Sequence, residues 1–136
     1  MSPILLDTHV AIWSAQGLVP KKIAQLIEEA AKNSELLLSP ISAWEVGILV
    51  RKRRFSVATT LDDYVRALFS RPGVVTAVLT PAIAAASTLL PESVGGDYAD
   101  RILVATAAAY GATLMTRDAQ IHAFAKKTRY LRCVAC

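Results

Sequence analysis

"DYADRILVATAAAYGATLMTRD", residues 97–118, carries the pattern on which the fold turns. Two acids, Asp97 and Asp100, open it, and from Ile102 to Ala109 the chain is apolar but for Thr106. An apolar run of that length predicts a central, mostly buried helix over 97–110. Gly111 follows at the position where helices end in the left-handed conformation that glycine adopts freely. "ATLMT" (112–116) is too short for a second helix and reads as a buried strand. Asp118 stands just beyond it, after Thr116 and Arg117.

The alternation continues outward in both directions. "PILLD" (3–7) is an apolar run ended by an acid, which predicts a strand, and "THVAIWSA" (8–15) predicts a short helix. Pro20 opens a helix through Ser34, with Ile23, Leu26, Ile27 and Ala30 at helical spacing. "ELLLSP" (35–40) is a strand, and "ISAWEVGILVRKRR" (41–54) a helix with a basic end. "TLDDYVRALFS" (60–70) is a helix, "GVVTAVL" (73–79) a strand and "PAIAAASTLL" (81–90) a helix. After residue 117 come a helix over 118–127 and a last strand in "YLRCV" (130–134). Strands alternating with helices predict an α/β fold around a mainly parallel sheet.

With 136 residues the chain is expected to form one domain, 1–136, with a core that needs no disulfide staples. Cys133 and Cys136 close the sequence without a second pair or a histidine at ligand spacing, so reduced thiols are expected over a metal or redox role. "MSPILLDTHVAIW" lacks a basic leader and carries Asp7 within its apolar run, unlike a signal peptide. The stretch 102–115 is shorter than the ~20 residues a membrane span needs. A cytoplasmic protein without a membrane partner is expected. The hydrophobic fraction of 54% points to apolar surface that meets a protein. Val10, Ile12, Trp13, Leu26, Ile27, Ile48 and Leu49 are the candidates for that surface.

Five acids fall at related places. Asp7 and Asp118 end strands, Asp97 and Asp100 begin the central helix, and Glu45 lies in the first turns of the 41–54 helix. In an open parallel sheet, sites form in the crevice beyond the carboxyl ends of the strands. Each acid also has a plain structural reading. Asp7, Asp97 and Asp118 suit helix caps, Asp100 a dipole-favoured first turn, and Ser42 with Glu45 a capping box. Capping alone is served as well by Ser, Thr or Asn, yet every one of these positions is acidic. Converging carboxylates repel unless a cation sits among them, and oxygen ligands without His or Cys suit Mg²⁺ or Mn²⁺. Such ions drive phosphoryl chemistry.

The remaining charge favours a polyanion. The net charge is +4, and with five of the 11 acids assigned to the site, six face 15 Lys and Arg. Arg51, Lys52, Arg53 and Arg54 form the densest patch, readable as an RNA contact or as a solvated helix end, and Arg117 is a further candidate. Arg71 and the stretch 126–132 are weaker ones.

"LLDTHVAIW", "SPISAWEVGIL", "GDYADRILVATA" and "LMTRD", in this order and spacing, resemble the PIN-domain ribonucleases, and among them the VapC toxin branch of type II toxin–antitoxin systems. The resemblance runs from the first strand to about Phe124. It implies a three-layer PIN-like fold, with a sheet of four to five strands flanked by helices. It implies an endoribonuclease that uses Mg²⁺ or Mn²⁺, cleaves RNA, pairs as a homodimer and is neutralised by a cognate antitoxin. Carried over, Asp7, Glu45 and Asp100 are the core acids and Asp118 the fourth, with Asp97 an additional metal ligand beside Asp7, Asp100 and Asp118. Thr116 matches a small hydroxyl residue near the metal, and Thr8 supports Asp7. Arg101 is kept, either orienting carboxylates or forming a helix-surface ion pair. Gly95 and Gly96 stand where the family often carries His-Arg.

Two rival readings remain open at this level. In one the acids are caps on a non-catalytic binding module. In the other the chain is a metal-dependent phosphatase, although such enzymes want a D-x-D loop after the first strand and this chain reads Asp7-Thr8-His9. His9 is expected to be structural rather than a general base.

Overall fold

The computed structural model describes residues 2–136. Five three-residue strands form its sheet: β1 (Ile4–Leu6), β2 (Leu36–Leu38), β3 (Val74–Thr76), β4 (Thr113–Met115) and β5 (Arg132–Val134). Their order is β3-β2-β1-β4-β5, and all four pairings are parallel. The helices are α1 (Thr8–Ala15), α2 (Lys21–Lys32), α3 (Pro40–Arg51), α4 (Leu61–Phe69), α5 (Pro81–Thr88), α6 (Tyr98–Tyr110) and α7 (Ala119–Thr128). The α/β reading thus holds, with shorter elements than the apolar runs suggested. A 3₁₀ turn, Glu92–Val94, was not foreseen. It is too short to carry a periodic signal.

The central strands are buried on both faces, which is why β1 and β2 read as unbroken apolar runs. Leu5, Leu37 and Leu114 point to one side, into a core with Ile83 of α5, Leu103, Val104 and Ala107 of α6, and Ile121 and Phe124 of α7. Ile4, Leu6, Leu36, Leu38 and Met115 point to the other, against Val10 and Ile12 of α1, Ile23 and Ile27 of α2, Val46 of α3 and Leu68 of α4. The result is three layers. Each fully buried Leu or Ile contributes about 1.5–3 kcal/mol relative to exposure. Val10, Ile12 and Ile27 are spent on this core, so they are not the partner surface the sequence suggested. Leu26 does remain exposed.

Gly111 caps α6 at φ 61°, as its position predicts. Gly73 is left-handed at φ 83°, and a Cβ there would lie 2.1 Å from the Ala31 carbonyl oxygen, so only glycine lets the chain pass α2 into β3.

The sheet order positions the site. From β1 the chain moves to β2 on one side, and from β4 to β5 on the other. The helices that follow, α1 and α7, pack on opposite faces. A crevice therefore opens between the carboxyl ends of β1 and β4. Asp7 is the first residue beyond β1, and Thr116, Arg117 and Asp118 follow β4.

Candidate active site

A cleft of about 450 Å³ lies at that crevice, lined by all five acids, Asp7, Glu45, Asp97, Asp100 and Asp118, with His9, Trp13 and Arg117. Asp7 enters from β1, Glu45 from the second turn of α3, Asp97 and Asp100 from the start of α6, and Asp118 from the turn after β4. Carboxylate oxygens of Glu45, Asp97 and Asp100 lie within 4.8 Å of one another, close enough to share one ion. Asp7 and Asp118 lie outside this tight trio while lining the same cleft. The sequence left open whether Glu45 binds metal or orients water, and the geometry sets it beside Asp97 and Asp100.

Hydroxyl groups hold the acids in place. Thr116 Oγ1 donates to Asp7 Oδ2 at 2.6 Å and accepts from the Asp118 N–H at 3.1 Å. Thr8 supports Asp7 through its backbone, while its side chain serves Glu45. Its Oγ1 donates to Glu45 Oε1 at 2.5 Å and lies 2.8 Å from Ser42 Oγ, while its backbone N–H serves Asp7. Thr8, Ser42 and Thr116 are all fully buried, so these bonds form where water cannot compete.

The capping readings divide. Asp97 Oδ1 accepts the Asp100 N–H at 3.1 Å, and Asp118 Oδ1 accepts the N–H groups of Gln120 and Ile121 at 2.8 and 3.0 Å. Both are true N-caps. Asp7 stands at the N-cap of α1 but makes no side-chain cap bond. The capping box at Ser42 and Glu45 is wrong: Ser39 caps α3 by accepting the Ile41 N–H at 3.1 Å, with Pro40 in the first turn. Ser42 is thereby left free to face Thr8.

The electrostatics are those of a site short of positive charge. Burial, with Asp97, Asp7, Glu45 and Asp118 adding to it, pushes Asp100 up to about 7. Burial likewise pushes Glu45 up to about 7, reinforced by Asp7 and Asp97 and opposed by the Thr8 hydrogen bond. Burial also raises Asp7, against the pull of Thr116 and His9. Among the described residues no Lys, Arg or His forms a salt bridge with any of the five. An all-oxygen donor set without a salt-bridge partner fits a hard divalent cation.

Arg101 serves neither role expected of it. Its Nη1 donates to the carbonyls of Pro91 and Gly95 at 3.3 and 3.1 Å, and its Nη2 to that of Leu90. It therefore ties down the loop that leads into Asp97. The basic run splits as well: α3 ends at Arg51, Lys52 caps it and Arg53 is left-handed at φ 58°, so the helix stops short of residue 54. All four side chains are exposed. Arg117 lies over the Trp13 ring at 4.0 Å and donates to the Cys136 carbonyl at 3.1 Å, at the rim of the acidic cleft. His9 is exposed at the same rim and stacks on Trp13 at 5.6 Å, so it belongs to the cleft and not to the core. Sequence reasoning named Ser42 as a cap and Trp13 as partner surface, and missed their place at the site, since neither carries a charge.

Fold and site together define a parallel α/β domain with a cluster of carboxylates at its topological switch point. The chain belongs to the PIN-domain family, whose match covers residues 4–127. It is 34% identical over 123 residues to Ribonuclease VapC22 of Mycobacterium tuberculosis (strain ATCC 25618 / H37Rv), covering 89% of this chain and 91% of that protein. Solved structures share the fold at lower identity. DNA-bound VapBC from Salmonella typhimurium superposes with a TM-score of 0.67 at 19% identity, covering 99% of this chain and 98% of its own. VapBC2 from Rickettsia felis, bound to a DNA fragment from their promoter, gives 0.65 at 16%, covering 97% of each chain.

Proposed function

We propose that this chain, acting as one PIN-like domain over 1–136, is a divalent-cation-dependent endoribonuclease toxin, neutralised by a cognate antitoxin. The carrying observation is the convergence of five carboxylates that form no salt bridge among the described residues, in a domain whose relative is a VapC ribonuclease. Glu45, Asp97 and Asp100 would hold Mg²⁺ or Mn²⁺, with Asp7 and Asp118 completing the site. Bound there, such an ion supplies Lewis acidity towards the phosphate and eases ionisation of the attacking water. Thr116 fixes Asp7, and Thr8 fixes Glu45, so the acids meet the substrate already oriented. Thr8 takes one oxygen of Glu45, and the second remains for the cation or for the attacking water. Asp97 and Asp118 anchor their oxygens by capping α6 and α7, which ties the site to two rigid helices.

RNA is the substrate class this reading requires, approached through the exposed cations Arg51, Lys52, Arg53, Arg54 and Arg117. Leu18, Leu26 and Leu89 are exposed apolar side chains that an antitoxin or a second copy would cover, consistent with a homodimer. Among the described residues no helix is long and apolar enough to cross a membrane, and the proposed place of action is the cytoplasm. The phosphatase alternative loses ground because Asp7 is locked by Thr116, a poor arrangement for a nucleophile. The test is cleavage of single-stranded RNA by the purified chain with Mg²⁺, with Mn²⁺ and with excess EDTA. Cleavage that persists in EDTA overturns the cation-dependent mechanism.

A further inference from the structure

A second groove continues from the acidic cleft along α3. It shares His9, Glu45 and Asp97 with the cleft and adds Trp44, Tyr98, Lys52 and Arg54. Trp44 and Tyr98 are the sequence neighbours of Glu45 and Asp97, so the groove begins where the acids end. Trp44 is 56% exposed and Tyr98 80% exposed. Among the described residues neither ring pairs with another aromatic ring or with a cation. Large rings left in water without an internal partner are available to an external one. Trp44, Ile48 and Lys52 follow at four-residue spacing and so lie on one face of α3, with Lys52 at its end. From Trp44 to Lys52 the helix rises ~12 Å, the length of three to four bases stacked at ~3.4 Å each.

We propose that this groove seats the single-stranded RNA next to the scissile phosphate, with bases stacked on Trp44 and Tyr98 and phosphates paired with Lys52 and Arg54. The inference rests on the ribonuclease reading and names how that site takes its substrate. The charge layout argues for it. Carboxylates that gather a cation hold one end of the groove, and two cations without a salt-bridge partner among the described residues close the other. A polyanion satisfies both ends. The rings select single strands, because base faces are offered to an aromatic side chain only when the bases are unstacked from a duplex. The four-residue basic run is thereby divided: Lys52 and Arg54 line the groove, whereas Arg51 and Arg53 do not.

The experiment uses the cleavage-dead Asp100→Asn protein and a fluorescent single-stranded RNA, with affinity read by anisotropy at several salt concentrations. Trp44→Ala and Tyr98→Ala should each weaken binding about 5- to 150-fold, the range for loss of one base–aromatic stack. Trp44→Phe and Tyr98→Phe should restore most of it, and binding of a duplex of the same sequence should not respond to the alanine changes. Lys52→Gln and Arg54→Gln should each lower the log–log salt slope by about 0.7. Unchanged affinity in both alanine variants overturns the proposal. So does a shift of those variants to a smaller species in sedimentation with RNA affinity intact, which would make the rings a contact between copies. The parent protein separates the two levels. If it cuts RNA with Mg²⁺ yet the variants bind normally, only the groove assignment fails. If it neither binds nor cuts RNA, the ribonuclease reading fails and takes the groove with it.

Discussion

Asp100 and Glu45 are held near 7 by burial and by their acidic neighbours, so near neutral pH each is part protonated and strained when ionised. Removing the charge should help the bare fold and destroy the chemistry. Asp100→Asn and Glu45→Gln are expected to raise the melting temperature of the cation-free protein at pH 8. Cleavage should fall at least about 100-fold, because several kcal/mol of charge stabilisation is lost at about 1.4 kcal/mol per decade. Unfolding of both variants, with normal cleavage by the folded remainder, would return these acids to a structural role. Thr8 belongs to the same scale. Thr8→Val keeps the shape but leaves Ser42 and Glu45 without their buried partner. It should cost about 1–3 kcal/mol of stability and about 10- to 100-fold in cleavage. Thr8→Ser should recover both, and a Val variant as active as the parent would show that Glu45 needs no such support.

At the scale of the element, the loop from Thr88 to Asp97 is held by one side chain. The Arg101 guanidinium reaches several of its carbonyls at once, which a single ammonium cannot do. Arg101→Lys should therefore fail to rescue: amide exchange across 92–98 should quicken, and cleavage should drop about 10-fold or more as Asp97 loosens. Protection and activity equal to the parent's would refute the clamp. Two glycines separate strain from collision. Gly111→Ala meets no atom within 4 Å and should cost only the left-handed backbone penalty, roughly 1–2 kcal/mol. Gly73→Ala adds a backbone clash to the same penalty and should cost clearly more, at about 4 °C of melting temperature per kcal/mol. Equal melting temperatures for the two variants would contradict the close approach of Gly73 to Ala31.

For the whole molecule the acids make stability depend on pH and on cation together. Glu45 rises from 4.5 and Asp100 from 3.8, each to about 7 in the fold. A raised carboxyl pKa means the native state keeps protons that the unfolded chain gives up. The stabilisation is then complete below pH ~4 and is lost as pH rises through about 7. Without divalent ions the melting temperature should decline across that window. A cation binds the ionised acids, so Mg²⁺ or Mn²⁺ should raise the melting temperature increasingly over the same range. A pH profile identical with and without the ion would remove the cation site.

The sequence by itself determined the alternation of elements, the mainly parallel α/β class and the four positions where acids meet strand or helix ends. Those features are local: apolar run length, a glycine stop after Tyr110, an acid just past each of two central strands. It also identified Glu45 as a candidate site acid but left a capping box with Ser42 as the rival reading, because S-x-x-E spacing does not say that Ser39 is the cap of α3. Only the tertiary structure decided which acids approach one another. Glu45 and Asp100 are 55 residues apart in sequence, and packing of α3 beside α6 brings them together. The same holds for the pairing of Thr8 with Glu45 and Thr116 with Asp7, and for the turn of Arg101 towards backbone carbonyls. It holds too for the exposure of Trp44 and Tyr98 beside the cleft. Periodicity reports which face of an element is buried, but it carries no record of which other element will lie against it.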